Sequence, residues 1–185
     1  MSKTTNFTFG RASDSDLKDI LKLQSNNLKV NVDNDEVTRE GFVTLVHTES
    51  LLKKMNSPHP HVICKDGEQL VAYALVMMPE LQDEIELLKP MFLRINDIHS
   101  ESGWEGRYFI MGQICIAKTH RRQGIFKGLY DHMARAMTGH ADKIVTEVNA
   151  ENTRSLNAHL HSNFSILLEY NADGEDWVIV ERALV

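Results

Sequence analysis

The chain has 185 residues, of which 42% are hydrophobic and 25% charged, and its formal net charge is −6. That length suits one domain, expected here over residues 1–185, or at most two small ones, with enough apolar side chains for a core. The acidic balance argues against general nucleic-acid binding, which draws on many Lys and Arg contacts to phosphate, and leaves room for a local basic patch; two distant cysteines, Cys64 and Cys115, form neither a disulfide framework nor a zinc pattern.

The first residues lack the apolar stretch of a secretory leader, and the longest apolar run, Leu70 to Pro79, is too short to span a bilayer. A reducing, cytoplasmic setting without membrane contact is the expectation. In chain order, "NFTFGRA" alternates as a short strand. "SDSDLKDILKLQSNNL" follows as a helix, with Ser13 and Asp16 at capping-box spacing and Leu17, Ile20 and Leu21 on one face. "TREGFVTLVHTESLLKKM" repeats the helical pattern through Phe42, Leu45, Val46 and Leu52, weakened at Gly41.

"HVICKDGEQLVAYALVMMP" reads as a hairpin turning at Lys65-Asp66-Gly67. The segment from Glu80 to Arg107 reads as a short helix, a break at Pro90 and a loop around Ser102 and Gly103. "YFIMGQICIAK" returns to strand. "GIFKGLYDHMARAM" is helical through Phe126, Leu129, Tyr130, Met133 and Met137, and Gly139 ends it. "KIVTEVNA" is a strand, "NTRSLNAHLHSN" a helix capped by Asn152, and the last segment a hairpin turning at Asp173-Gly174. Strand–helix–strand–helix alternation in the second half predicts a partly parallel sheet, and the hairpins add antiparallel pairs. The fold class is therefore α/β (α+β) with a mixed sheet.

One turn carries chemistry. Two arginines, Arg121 and Arg122, precede Gly124 where a strand passes into a helix. A helix start offers free N–H groups, a glycine lets an anion approach the backbone, and arginines supply cationic donors, so the turn is a candidate pyrophosphate site. Arg-Arg-x-Gly alone is also compatible with a solvated loop before a core helix.

With its context the stretch resembles the acyl-CoA-binding turn of the GNAT N-acetyltransferase superfamily, Gln/Arg-x-x-Gly-x-Gly/Ala after a central strand. The matching residues are Arg121, Arg122, Gln123, Gly124, Ile125 and Phe126, with Phe126 standing where Gly or Ala is usual. "TEVNAENTRSLNAHLHSNF" resembles the later strand–helix pattern of the same family: Glu147 and Val148 match, Asn152 falls on the asparagine that contacts the cofactor, and Phe164 matches. Ser155, His159 and Asn163 replace the usual alanine, tyrosine and glycine. The likeness covers about Phe7 to Ala183 and implies a central sheet of six or seven strands flanked by about four helices.

The resemblance implies acetyl-CoA as acyl-donor cosubstrate, with no metal. Its pyrophosphate would sit on the turn from Arg121 to Phe126, and its pantetheine arm would pair with the backbone of Ile114, Cys115 and Ile116, where two parallel strands splay. The N–H of Ile116 would face the thioester carbonyl. Glu147 is the candidate base that takes the proton of the attacking amine, and His159 the candidate acid for the departing thiolate. Gln113 cannot act as a base but could position water or substrate.

Other features are weighed more simply. His159 and His161 point to different sides of their helix and make no chelating pair, and His59 and His61 flank Pro60 in an expected loop, where metal binding is the minor reading. Cys115 reads as a buried structural thiol. The acidic segment from Glu80 to Glu86 reads as a solvated face that could attract a cationic amine, and Trp104, Tyr108 and Met111 as core or acceptor pocket. The expected partner is a small-molecule or peptide amine, with room for a homodimer. The competing readings are an acyl-CoA sensor without turnover and a nucleotide-binding regulator.

Overall fold

The structure, a computed structural model, describes residues 7–28, 43 and 45–184. Among them lie seven strands: β1 (Phe7–Arg11), β2 (Val62–Asp66), β3 (Gln69–Met77), β4 (Tyr108–Ile116), β5 (Lys143–Asn149), β6 (Ser165–Ala172) and β7 (Glu175–Ala183). Five α-helices accompany them: α1 (Leu17–Ser25), α2 (Glu49–Met55), α3 (Lys89–Ser102), α4 (Ile125–Met137) and α5 (Thr153–Leu160). The strand order is β1-β2-β3-β4-β5-β7-β6, with β4 and β5 parallel and β1/β2, β2/β3, β5/β7 and β6/β7 antiparallel. The sheet is mixed, as expected, and its strand number falls within the expected six or seven.

The chain is built as two compact units. Among the described residues, the first contains 7–28, 43, 45–76 and 112–136. Local chemistry sets its elements. At the start of α1, Asp16 accepts from the Ser13 N–H at 2.8 Å and from its hydroxyl at 2.6 Å, the expected capping arrangement. Leu17, Ile20 and Leu23 are buried, whereas Leu21 sits at the margin. The hairpin β2–β3 turns at Gly67, and β3 is buried without interruption from Leu70 to Met77. An apolar run of that kind is what a central strand covered on both faces requires.

Two expectations for the middle of the chain need correction. The helix expected from Thr38 is described only as α2, because Thr48 caps it: its hydroxyl accepts from the Leu51 N–H at 3.2 Å. Leu45 and Val46 precede that cap, Val46 is 65% exposed, and Phe42 and Gly41 lie outside the described residues. Pro90 does not break a helix. It occupies the first turn of α3, where its missing N–H has no partner to lose, and α3 runs on to Ser102.

The second unit contains residues 77–111 and 137–184 among those described. Here β4 pairs with β5 through Tyr108↔Lys143, Phe109↔Ile144 and Ile110↔Val145. The final hairpin turns through Asp173 at φ 53° and Gly174 at φ 82°, the left-handed pair that a tight two-residue turn needs.

Candidate functional site

In the first unit, β4 leaves the sheet at Ile116 and the chain re-enters helix at Ile125. Between them Arg122 and Gly124 take positive φ, 64° and 80°. Gly124 has no side chain to crowd its surroundings, and a Cβ placed there meets nothing within 4 Å. The first-turn amides of α4 follow at Ile125, Phe126 and Lys127, ahead of the first helical bond, Gly128 N–H to the Gly124 carbonyl at 3.1 Å. A helix start with clear space beside a left-handed glycine is a fit for an anion such as a pyrophosphate.

The side chains of the turn divide differently from the sequence reading. Arg121 points inward: its Nε donates to the Ile116 carbonyl at 3.1 Å and its Nη2 to Asn27 Oδ1 at 2.7 Å. Arg122 and Gln123 are exposed, and Gln123 Nε2 donates to the Thr119 carbonyl at 3.1 Å. Ile125 is buried. The ring of Phe126 lies edge-on to Tyr130, one helical turn on, at 5.1 Å between centroids.

Ile114 and Ile116 are half-buried and Cys115 is buried. Burial pushes the Cys115 thiol up to about 12, so it is no nucleophile at neutral pH. Gln113, which could position water or substrate, has its amide engaged within the protein. Its Oε1 accepts from Gln24 Nε2 at 2.8 Å and from the Tyr73 hydroxyl at 2.5 Å, and its Nε2 donates to the Leu45 carbonyl at 2.8 Å. Gln24 also bonds His47 Nδ1 at 2.8 Å. This buried amide network was invisible in the sequence, because its members lie far apart along the chain.

In the second unit, Glu147 stands on β5, half-buried. Burial raises its carboxyl to about 7, against a hydrogen bond from Tyr170 that lowers it. Tyr170, on β6, donates its hydroxyl to Glu147 Oε1. Sequence reading missed Tyr170, whose place beside Glu147 depends on strand register. Asn152 caps α5 as expected, its Oδ1 accepting from the Ser155 N–H at 3.2 Å.

His159 is 1% exposed and lies edge-on to Phe164 at 5.2 Å between ring centroids. Its Nδ1 donates to the Ser155 carbonyl at 2.7 Å, and burial lowers its pKa to about 4, so the ring is neutral at pH 7. His61 is likewise buried: Nε2 bonds the Leu52 carbonyl and Nδ1 the Val76 N–H, both at 3.1 Å. Trp104 and Tyr108 pack with His99, at 4.3 Å and 5.1 Å between centroids, and Met111 is core. Among the described residues, no group of three or more His, Cys, Asp or Glu could hold a metal ion, and no helix is long and apolar enough to cross a membrane.

Comparison with known proteins bears on the whole chain. Residues 29–164 match the model of the Acetyltransferase (GNAT) family. No curated protein matches the sequence significantly. Among solved structures, Ard1 from Thermoplasma volcanium is similar at a TM-score of 0.66 with 11% identity, covering 97% of this chain and 98% of that one. The ribosomal-protein-S18-alanine N-acetyltransferase from Escherichia coli gives 0.63 and 12%, with 97% and 94% covered. The yncA protein from Salmonella typhimurium, solved with its cofactor acetyl-CoA, gives 0.62 and 11%, with 97% and 94% covered. At such identities the likeness speaks for the fold.

Proposed function

Because the chain belongs to the acetyltransferase (GNAT) family, we propose that it transfers acetyl from acetyl-CoA directly to a primary amine on a small molecule or peptide, with residues 1–185 acting as one domain. The observation that carries this reading is the turn between β4 and α4, where Arg122 and Gly124 take left-handed φ and the space beside Gly124 stands clear at a helix start.

Each residue then has a task. The amides of the turn from Arg121 to Phe126 take the pyrophosphate, with Arg122 as the outward cation and Arg121 as the tie that holds the turn in place. The backbone of Ile114, Cys115 and Ile116 pairs with the amides of pantetheine, and the Ile116 N–H steadies the oxyanion that forms as the amine adds to the thioester carbon. By the family resemblance, Asn152 is assigned a contact to the cofactor. Glu147 takes the amine proton; with a pKa of about 7 it holds enough carboxylate to accept and is basic enough to be useful near neutral pH. Collapse of the adduct breaks the C–S bond and releases CoA thiolate.

His159 is assigned the proton that neutralises the thiolate. That role needs the imidazolium, and burial favours the neutral ring, so its removal is expected to cost less than removal of Glu147. The same burial favours a second reading, a domain that holds acyl-CoA without turnover. Titration calorimetry with acetyl-CoA, CoA and ATP, followed by CoA release against an amine panel, decides between them. Absence of heat with acetyl-CoA overturns both readings, and binding without CoA release leaves the second.

A further inference from the structure

Strand β6 carries one residue more than the stretch of β7 it faces. Ser165 opposes Glu181 and Ile166 opposes Val180, but the next pair is Leu168↔Ile179, and the ladder continues to Tyr170↔Trp177. Leu167 is the extra residue of a β-bulge. Opposed residues on neighbouring strands share a face, and residues two apart along a strand share it too. Glu147 opposes Ile179; Leu168 opposes the same residue from the other side, and Trp177 with Tyr170 follow two positions on. Tyr170 therefore stands on the face that carries Glu147. Without the bulge Ile179 would oppose Leu167 and Trp177 would oppose Glu169, so a second carboxylate would take that place and Tyr170 would point away. Re-aiming a side chain is what a bulge does.

The two residues are separated by β7, that is by two strand spacings of about 4.8 Å each. A glutamate reaching a tyrosine spans that gap, and the Tyr170 hydroxyl donates to Glu147 Oε1. From α3 the Arg94 guanidinium stands 5.9 Å from the centroid of the Tyr170 ring, close enough for a cation–π contact that steadies it.

We propose that the bulge at Leu167 and the Tyr170 hydroxyl form a positioning device for Glu147, holding Oε1 so that Oε2 is the oxygen offered to the acceptor amine or to a water that relays its proton. The inference rests on Glu147 being the base of the proposed transfer. Tyr170 keeps its own proton, since burial and the Glu147 carboxylate push its pKa well above the ordinary tyrosine value. It acts through Glu147 and is not itself the acid. Among the described residues, Arg94 from α3 is the other charged group bearing on Tyr170; Trp177 and Ile179 of β7 carry no charge.

Carbon-13 NMR of glutamate-labelled protein tests this without any acceptor, with the Glu147 carboxyl assigned by its loss in Glu147→Gln. In Tyr170→Phe, which keeps the ring, the Glu147 titration is expected to move upward by about one pH unit, because a hydrogen bond to the ionised form has been removed. The acidic limb of kcat/KM moves with it, while acetyl-CoA affinity stays. Deletion of Leu167, which removes the bulge, gives an upward shift as well. An unmoved titration in Tyr170→Phe with turnover intact overturns the positioning role alone. A native protein that acetylates no amine overturns the transfer reading and the role that rests on it, even where the carboxyl shift shows the coupling.

Discussion

Arg121 Nη2 donates to Asn27 Oδ1 at 2.7 Å, and Asn27 Nδ2 donates in turn to the Leu23 carbonyl of α1 at 2.8 Å. The guanidinium thus ties the turn after β4 to the end of α1, and only its neighbour Arg122 faces out. Arg121→Ala is expected to lower the melting temperature, at a cost of about 1–3 kcal/mol for the polar groups left unpaired, and to weaken acetyl-CoA binding through the loosened turn. Arg122→Ala, at an exposed position, is expected to cost less stability than Arg121→Ala and to raise the Kd for acetyl-CoA by about three- to tenfold, less so at high salt. Calorimetric Kd values at two ionic strengths, beside thermal melts, check both. Equal losses in stability would contradict the division of labour.

Glu147→Gln is expected to lower kcat/KM for the acceptor by about a hundredfold. In the native protein the rate rises with pH through about 7 as the raised carboxyl ionises. In the variant that limb disappears. Persistence of the limb would assign it to another group. His159→Ala is expected to cost about tenfold or less, since a thiolate leaves without help, and a loss as large as that of Glu147→Gln would restore the imidazolium as an essential acid.

Gly128 faces the ring of Phe9, whose Cζ would lie 2.3 Å from an added Cβ. Glycine inside a helix ordinarily costs about 1 kcal/mol relative to alanine. Gly128→Ala is therefore expected to gain nothing in the native background, because the Phe9 ring must move, and to gain about 1 kcal/mol where Phe9→Ala has cleared the space. Denaturant unfolding of the four proteins of this cycle measures the coupling, and a simple gain in both backgrounds would dismiss the contact.

Three buried histidines, His47, His61 and His159, have pKa values lowered from 6.5 to about 4, in each case chiefly by burial. Between those values the unfolded chain binds protons that the folded chain refuses, so stability is lost as pH falls through that window. Glu147 works in the opposite sense: its carboxyl is raised from 4.5 to about 7, so the folded state binds the extra proton and stability falls as pH rises through that range. With three groups against one, the melting temperature is expected to drop on acidification from about pH 6.5 to pH 4. A flat or rising profile would place the histidines in contact with water.

Much of the fold was legible because its causes are local. The Ser13–Asp16 cap, the Asn152 cap, the turns at Gly67 and Asp173-Gly174 and the apolar stripe of α4 each depend on residues within a few positions of one another. The turn at Arg122 and Gly124 belongs with them: a glycine between a strand and a helix marks a turn before the fold is known. What the tertiary structure decided has partners far away in sequence. Arg121 turns inward because Asn27 waits there, Gln113 is spent on Gln24 and Leu45, and His159 is neutral because it is buried. Leu167 shifts the register so that Tyr170, and not Glu169, meets Glu147. Helix and turn chemistry is set by neighbours along the chain, whereas burial and strand register are set by whatever the rest of the molecule brings alongside.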